Sequence, residues 1–541
     1  MSGRAHLSAF AANTRIGIPD ELARRYRGAG WWNSRTLADG IETAAALRPD
    51  AVAIAEAGSE RCITYAELNN AVARAVAVLR SRATDAESGA ILVAGNSIRG
   101  VVAYHALLRA NAPTLLLDRR CGTADVEHAY EVLPDATLIA PMTELDRLVA
   151  GAGDNQRIAL ESLDGHATDT AYESSGLDRD APATVLFTSG TTNRPKAVVH
   201  SLNTLTAGAA NMAQITGADD TTRLFLVSPL TSIAGVMQIL LAADQHAAIV
   251  LEDQFDPDAS LDRINRWQAT LLGGAPVIAE RLLRAAQDRG ENIALRTLAL
   301  GGAMLPRPLL EVATDAFGIE IARVYGSSEA PNFSGSVPTD ERERRLSDDG
   351  VLMPGNEVRV GSTGHAQEGM LRGPCVFLGY VDPEDQADAF EGGWFRTGDL
   401  VDLHNGRLTV VGRLKAVANR SGLKISLDEI EAALADMDGI RELACVAFPD
   451  ADTGERLAVA VRPEPRADLT LERVVTHLLD RGVAHRKLPE EVVVWESPLP
   501  RTTSGKIVRS RVVMESPGKP SLVAARLRDA ARGTDHDSDS S

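Results

Sequence analysis

An alternation of two residue patterns runs through the first 330 residues and restricts the possible folds more than any other feature. Short apolar runs typical of buried strands, such as 90-AILVA-94 and 114-TLLL-117, alternate with helical patterns, such as 99-RGVVAYHALLRANA-112. Strands that alternate with helices form largely parallel sheets covered by helices. This part of the chain is therefore predicted to fold into layered α/β subdomains.

The pattern changes twice further along the chain. From residue 350, short strands and Gly turns such as 357-EVRVGSTG-364 indicate a β-rich subdomain. A helix is then expected after Ser426, because Ser426 and Glu429 have the spacing of a capping box, and strands and a second helix follow it. We expect four segments: an N-terminal domain over 1–411, a hinge over 412–415, a small mobile α+β C-terminal domain over 416–520, and a disordered tail over 521–541.

Composition excludes several classes of protein. A chain of 541 residues that is 44% hydrophobic is too long for one compact core. Its net charge of -18 argues against nucleic acid as a partner, so an anionic ligand must be bound locally. The 4 cysteines have no paired spacing, which suggests neither a zinc site nor disulfides. With no apolar stretch suited to a signal peptide or a membrane span, we expect a cytoplasmic protein, and a homo-oligomer stays open.

The stretch 187-FTSGTTNRPKAVVH-200 has the composition of an anion-binding loop. It offers hydroxyls, backbone N–H groups and the fixed charge of Lys196. It is compatible with an ordinary surface turn or with the phosphate loop of enzymes that make acyl-adenylates. A Walker-type loop is disfavoured, because that motif requires Gly before the Lys and Ser or Thr after it, whereas Pro195 and Ala197 flank Lys196 here.

Further stretches in a fixed order decide between these interpretations. They are 63-ITYAELN-69, 324-VYGSSEA-330, 394-WFRTGDL-400, 412-GRLK-415 with 421-SGLKISLDEIE-431, and 500-PRTTSGKIVR-509. Together with the loop, they resemble the ordered core motifs of the AMP-forming acyl-CoA synthetase and adenylate-forming enzyme superfamily, in its acyl-CoA ligase branch. The resemblance covers residues 40–512.

The resemblance implies a two-step reaction. A carboxylate attacks the α-phosphate of ATP to give an acyl-adenylate and pyrophosphate, and the thiol of CoA then displaces AMP. The implied cofactors are ATP, or acyl-AMP, with Mg²⁺ and CoA, and the implied partner is a small carboxylic acid or its adenylate. Neither nucleic acid nor a membrane is an expected partner.

The resemblance also assigns residues to the nucleotide. The β- and γ-phosphates are expected at Thr188, Ser189, Thr191, Thr192 and Lys196. The rest of the nucleotide is expected at Gly302, Ala303, Tyr325, Ser328, Asp399 and Arg413. Within this set, Tyr325 would stack on adenine, Asp399 would accept from both ribose hydroxyls, and Arg413 would donate to the ribose.

The catalytic residues implied by the resemblance are Lys506, Glu329 and Lys196. Glu329 corresponds to the Mg²⁺ ligand, and a carboxylate oxygen suits that ion. Lys506 corresponds to the lysine that bridges the substrate carboxylate and the α-phosphate, where a compact ammonium can neutralise both. For the second step, the C-terminal domain would rotate about Lys415, and Gly422 and Leu423 would line the CoA channel.

The acyl group is expected beside small and apolar residues. They are Ser232, Ile233, Ala234, Gly235, Met237, Gly301 and Gly326. Relatives that load α-amino acids carry an Asp for the ammonium in this region, whereas 228-SPLTSIAGVMQ-238 contains no acid. A wide, apolar pocket favours a bulky hydrophobic acid, alicyclic or polycyclic, of the kind found in secondary metabolism.

Other functions remain compatible with these motifs. The chain could load the acyl group onto a separate carrier protein, or act as a luciferase-like oxygenase or as a non-catalytic binding module. A further alternative follows from Asn193 and Ala197, which replace glycines usual in the superfamily. With a weakened phosphate loop, the adenylation half-reaction would be impaired, and the protein would catalyse only thioester formation from an acyl-adenylate made by another enzyme.

Overall fold

The computed structural model describes residues 18–33, 37–152, 156–165, 177–188, 195–302, 305–414, 416–420, 423–450, 453–502 and 505–524. The helices of these ranges are Asp20–Gly28, Leu37–Leu47, Tyr65–Ser81, Ile98–Arg109, Thr123–Val132, Met142–Ala152, Leu202–Thr216, Ile233–Gln245, Pro257–Trp267, Pro276–Arg289, Arg307–Glu311, Arg342–Ser347, Pro383–Ala387, Leu427–Leu434, Leu471–Asp480 and Arg509–Glu515. Within the described ranges, no helix has the length and apolar character needed to cross a membrane.

The largest sheet of the described chain combines a parallel centre with antiparallel flanks. Its parallel strands are, in spatial order, Glu320–Tyr325, Thr297–Gly301, Leu271–Gly274, Arg223–Leu226, Ala248–Leu251 and Val52–Glu56, with Cys62–Thr64 antiparallel at one edge. Beyond Glu320–Tyr325 the antiparallel strands are Ser334–Gly335, Val351–Leu352, Arg407–Arg413, Trp394–His404, His365–Arg372 and Glu357–Ser362, and Phe390–Glu391 pairs with Trp394–His404. These flanking strands form the β-rich region expected after residue 350.

A second sheet lies on the other side of a helical layer. Its strands are, in order, Gly379–Tyr380, Lys196–Ser201, Pro182–Thr188, Thr114–Asp118, Ala90–Ala94, Thr137–Ala140 and Arg157–Ala159. The strands from Pro182–Thr188 onward are parallel, as the alternating pattern predicts, and the first two are antiparallel additions.

The helices between the two sheets form the main core. Buried Leu92 and Leu186 of the second sheet belong to the same apolar cluster as Ile54 and Leu224 of the first, together with Val236 of the helix Ile233–Gln245. A helix that is buried on two sides needs apolar residues around most of its surface. This explains why all residues of the segment Val236–Ala243 except Gln238 are apolar. The predicted α/β layers are confirmed.

The C-terminal part has its own sheet and its own core. The strands are Leu423–Ser426, Val417–Arg420, Gly454–Pro463, Glu491–Val494 and Ser521–Val523 in spatial order, and Ile440–Asp450 pairs with Gly454–Pro463. The Ser426 hydroxyl accepts from the Glu429 amide at 3.3 Å and so caps the helix Leu427–Leu434, where a helix start was predicted. Lys415, the predicted hinge residue, lies outside the described residues, between the last strand of the large sheet and the first strand of this one.

The expectation of a disordered tail from residue 521 is wrong at its start. Ser521–Val523 pairs antiparallel with Glu491–Val494, with Leu522 opposite Val492. Leu522 packs, partly buried, against the C-terminal core. Because Leu522 packs in register with a buried strand, this segment is a strand although the sequence after it is polar. The C-terminal domain therefore extends past residue 520.

Replacing Leu522 tests this strand. We expect Leu522→Ala to lower the free energy of unfolding of the C-terminal domain by about 1–2 kcal/mol, less than for a fully buried leucine because the site is only partly buried. Ser521→Ala, on the exposed side of the same strand, serves as the matched control. Denaturant unfolding of the full chain measures both variants, and equal stabilities of Leu522→Ala and the unaltered protein would show that the segment contributes nothing.

Candidate functional site

The carboxyl ends of three neighbouring parallel strands define one edge of the large sheet. Gly274 lies opposite Leu300, and Gly301 lies opposite Val324, so the three strands end nearly level. Ligands of α/β proteins bind outside the carboxyl ends of such strands. The residues that follow these strands, including Gly302 and the turn after Tyr325, are therefore placed at a site rather than in the core.

The C-terminal domain delivers Lys506 to this edge. A Cβ atom built on Gly302 would lie 3.0 Å from the Lys506 Cε and 3.1 Å from its Nζ. Gly302 also has φ +76°, a conformation that other residues rarely adopt. The positive φ favours glycine at this position, and the absence of a side chain leaves room for the flexible end of the lysine.

A second contact supports the same arrangement of the two domains. A Cβ built on Gly505, next to Lys506, would lie 3.2 Å from the Val277 Cγ1 of the helix Pro276–Arg289. Arg284 of that helix faces Glu464 of the C-terminal domain, with their charged atoms 3.7 Å apart. The loop that carries Lys506 is thus seated on the N-terminal domain.

The charge environment of Lys506 links it to other residues predicted for the site. Loss of hydration between the two domains lowers the pKa of the Lys506 ammonium, and the like charge of Arg413 lowers it further. Asp399 and Glu329 act in the opposite direction. The structure therefore brings together four residues that are far apart in the sequence.

Asp399 is the centre of a buried hydrogen-bonded group. Its Oδ2 accepts from the Tyr325 hydroxyl at 2.9 Å, and its Oδ1 pairs with the Arg413 Nε at 2.8 Å. Asp399 and Arg413 are cross-strand neighbours in register, which fixes this pair. Burial raises the pKa of the Asp399 carboxyl, while Arg413 and the Tyr325 hydroxyl favour its charged form. Each carboxylate oxygen has a further lone pair for a ligand.

Glu329 is held by a tyrosine from the second sheet. The Tyr380 hydroxyl donates to the Glu329 Oε1 at 2.7 Å. Burial, followed by the charge of Glu329, raises the pKa of the Tyr380 phenol, so this hydroxyl remains a donor. A single carboxylate combined with nucleotide phosphates is the usual way in which proteins bind Mg²⁺, and Glu329 fits that role.

His200 fixes the turn that carries Ser328 and Glu329. Its Nε2 lies 2.7 Å from the Ser328 carbonyl oxygen, and its Nδ1 lies 3.0 Å from the Thr204 hydroxyl. Burial lowers the pKa of His200 to about 4, so the ring is neutral near pH 7 and donates one proton to the carbonyl. The second sheet thereby positions the turn of the first.

The predicted phosphate loop is the tip of an antiparallel hairpin. Thr188 and Lys196 are cross-strand partners at the ends of Pro182–Thr188 and Lys196–Ser201. The tip between them, which contains Ser189, Thr191, Thr192 and Asn193, lies outside the described residues. The Lys196 Nζ lies 2.8 Å from the Asp385 Oδ1 and 4.7 Å from the centre of the Tyr380 ring.

Several residues predicted for the acyl pocket have structural roles. The Ser232 hydroxyl accepts from the Gly235 amide at 3.2 Å and donates to the Pro229 carbonyl at 2.7 Å, which caps the helix Ile233–Gln245. Met237 is buried, and its sulfur would lie 2.8 Å from a Cβ built on Gly208 of the neighbouring helix. By contrast, Ala234 is exposed at the start of the helix.

The three predicted pocket glycines are packed against backbone. A Cβ built on Gly235, Gly301 or Gly326 would lie 2.1, 2.2 and 2.7 Å from the carbonyl oxygens of Pro229, Val324 and Ala330, respectively. Close packing is sufficient to explain these glycines, and their role in binding an acyl group stays a prediction. Ile233, at the start of the same helix as Ala234, is half-buried.

Three further residues predicted for the site are Ala303, Gly422 and Leu423. Ala303 and Gly422 lie outside the described residues, and Leu423 begins the strand Leu423–Ser426.

Sequence reasoning missed three residues that the site contains: His200, Tyr380 and Asp385. Tyr380 and Asp385 become neighbours of Lys196 only because Gly379–Tyr380 pairs with Lys196–Ser201. The available signal was a Gly-Tyr pair followed by a Pro-containing helix start, 379-GYVDPED-385.

Comparison with known proteins agrees with this geometry. The chain is 29% identical to a salicylyl-CoA synthase / salicylate adenylyltransferase of a Streptomyces species, over 94% of this chain and 98% of that protein. It is 28% identical to the medium-chain fatty-acid–CoA ligase of Escherichia coli, over 92% and 93% of the two chains. The fold matches that of an anthranilate CoA ligase in complex with anthranoyl-AMP, with TM-score 0.80, 19% identity, and 89% and 97% of the chains covered.

Family matches cover both parts of the protein. Residues 429–506 match the C-terminal domain of AMP-binding enzymes. Residues 41–381 match the AMP-binding enzyme family itself, which is more than half of the chain. The superfamily predicted from the ordered motifs is therefore confirmed, and the chain belongs to the AMP-binding enzyme family.

Proposed function

We propose that the protein is an acyl-CoA ligase that joins a bulky hydrophobic carboxylic acid to CoA through an acyl-adenylate. The observation that carries the proposal is the position of Lys506 against Gly302, in one electrostatic environment with Asp399 and Glu329. A lysine brought from a second domain to the strand ends, beside two carboxylates, suits a site that neutralises charge developing during a reaction.

In the first step, the attacking carboxylate and the α-phosphate approach each other and repel. Lys506 would lie between them and neutralise both groups, which lowers the barrier through preorganised charge. The pKa of Lys506 is lowered when its charged neighbours are those of the protein alone. When two anions bind beside the ammonium, they raise its pKa again and keep the group charged.

The group around Asp399 would hold the ribose. The remaining lone pairs of its carboxylate would accept from the two hydroxyls, while Tyr325 and Arg413 keep the carboxylate in place. Glu329 would hold the Mg²⁺ ion, which supplies charge neutralisation for the triphosphate. Tyr380 would orient Glu329 toward it through the hydrogen bond to Oε1.

The second step requires Lys506 to leave, since its loop occupies the edge where a thiol must approach. The C-terminal domain would rotate about Lys415 and bring Gly422 and Leu423 to the acyl-adenylate. Glycine at position 422 would leave room for the pantetheine arm of CoA.

Two observations support a hydrophobic acid as substrate. No carboxylate lies in the segment 228–238 that begins the helix Ile233–Gln245, so an α-amino group would find no counter-charge there. The proteins named above act on an aromatic acid and on medium-chain fatty acids, which suits an apolar acyl site. A panel of aryl, alicyclic, polycyclic and fatty acids with ATP and CoA tests the proposal, with AMP, pyrophosphate and acyl-CoA followed separately.

The panel also separates the proposal from its rivals. Acyl-CoA formation with equal amounts of AMP and pyrophosphate is the expected result. Release of pyrophosphate without acyl-CoA, with AMP and an acyl thioester formed only after a carrier protein is added, would identify a carrier-protein loader. Thioester formation only from preformed acyl-adenylate would identify a protein that receives its adenylate from another enzyme.

Asp399 provides a test of nucleotide binding. We expect Asp399→Asn to weaken AMP binding by about 1.5–3 kcal/mol, because hydrogen bonds to a charged acceptor in a buried site are replaced by neutral ones. Asp402→Asn, exposed on the same strand, removes an equal charge away from the site and serves as the control. Calorimetric titration with AMP measures both, and similar affinities for the two variants would contradict the ribose assignment.

Lys506 provides a test of the adenylation step. We expect Lys506→Met to reduce pyrophosphate release about 10²–10³-fold, because one preorganised charge is removed from the reacting centre. AMP affinity and thioester formation from preformed acyl-adenylate should persist, and Lys506→Arg should recover part of the first step.

The lowered pKa of Lys506 adds a pH dependence to this test. Because the free enzyme loses this proton at a lower pH than an ordinary lysine does, the kcat/KM of adenylation should fall on the alkaline side with a midpoint below 10.5. The thioester-forming half-reaction should lack this alkaline limb, that is, this decrease of kcat/KM at high pH. An identical alkaline limb in Lys506→Arg would assign it to another group.

A further inference from the structure

The ammonium of Lys196 already has a counter-ion in this structure. Its Nζ lies 2.8 Å from the Asp385 Oδ1, and both side chains are about one quarter exposed, with relative accessibilities of 26% each. The same ammonium lies over the Tyr380 ring, whose hydroxyl is bonded to Glu329. Asp385 therefore lies beside Lys196, which is assigned to the triphosphate, and Lys196 in turn lies over the tyrosine that holds Glu329.

The fold, rather than a chance surface contact, places Asp385 there. The amide of Val381 donates to the Ala197 carbonyl at 3.1 Å, which continues the pairing of the two strands beside Lys196. The Asp382 side chain accepts from the Glu384 amide at 2.9 Å and begins the helix Pro383–Ala387. Gln386 ties this helix back to the strand, since its Oε1 accepts from the Tyr380 amide at 2.8 Å.

Asp385 and the β- and γ-phosphates of a nucleotide would compete for the same cation, the Lys196 ammonium. A carboxylate 2.8 Å from the Lys196 Nζ neutralises part of its charge and adds a negative charge where further anions must come close. AMP and acyl-adenylates carry neither of these phosphates, so the pair with Asp385 opposes only the triphosphate.

We propose that Asp385 is a specificity-determining residue that weakens binding of triphosphate nucleotides, through Lys196, relative to AMP and acyl-adenylates. The inference rests on the proposed function, because the adenylation step proposed there uses ATP and the family resemblance assigns Lys196 to its β- and γ-phosphates. In consequence the adenylation step needs a higher ATP concentration than the Lys196 charge alone would require.

The test uses the full chain and two charge-neutralising variants of neighbouring residues. Asp385→Asn removes the counter-ion and keeps the shape of the side chain. Glu384→Gln, exposed on the same short helix, removes an equal charge one residue away and is the matched control. Calorimetry at fixed ionic strength and Mg²⁺ concentration gives the Kd of each protein for a non-hydrolysable ATP analogue and for AMP.

The expected result is a change in the ratio of the two affinities. Asp385→Asn should bind the ATP analogue about three- to fivefold more tightly and AMP within twofold of the unaltered protein, as expected for one partly exposed ion pair. Glu384→Gln should change neither by more than twofold. In a Lys196→Met background, Asp385→Asn should lose most of its effect, because the cation through which it acts is gone.

Three outcomes would overturn the inference. Unchanged or weaker binding of the ATP analogue by Asp385→Asn would show that the carboxylate does not compete with phosphates, and weaker binding would instead fit a ligand of the Mg²⁺ ion. Equal tightening of ATP analogue and AMP would show a general effect of net charge. Failure of the unaltered protein to bind either nucleotide would remove the proposed function together with this inference.

Discussion

The approach of Lys506 to Gly302 is the contact on which the site depends. It joins a loop of the C-terminal domain to the end of a central parallel strand, where Gly302, with its positive φ and no side chain, leaves room for the lysine. The parallel strands bring Gly302, Tyr325 and Glu329 to one edge, and the antiparallel pair of Asp399 and Arg413 completes it. The end of the large sheet thus carries several charged residues, and the second domain supplies a further one, Lys506.

Charged and polar groups around this contact hold each other in place. Tyr325 and Arg413 fix the carboxylate of Asp399, and Tyr380 fixes that of Glu329. Neutral His200 holds the backbone of the turn between them. Such preorganisation allows a site to stabilise developing charge without moving its own dipoles during the reaction. The ion pair of Lys196 with Asp385 differs, since under the proposed function it would rearrange when phosphates bind.

Much of this arrangement could be predicted from the sequence, because it depends on local patterns and ordered motifs. The alternation of strands and helices predicted the layers, and the motifs predicted that Lys506, Glu329, Asp399 and Arg413 would meet. Tyr380 and Asp385 could not be predicted, because their position depends on a two-residue strand that pairs with a segment about 180 residues earlier. The family resemblance and the residue types together predict Met237 and Gly235 in a pocket, and their close packing depends on neighbours that the sequence does not reveal.

The central claim is that the carboxylate substrate attacks the α-phosphate at this site before CoA reacts. The most direct measurement is a reaction with ATP, CoA and an accepted acid labelled with ¹⁸O in its carboxylate, followed by mass spectrometry of the products. Formation of an acyl-adenylate transfers one carboxylate oxygen to AMP, so the account predicts AMP that carries a single ¹⁸O and pyrophosphate that carries none. Unlabelled AMP, or label in inorganic phosphate, would contradict it.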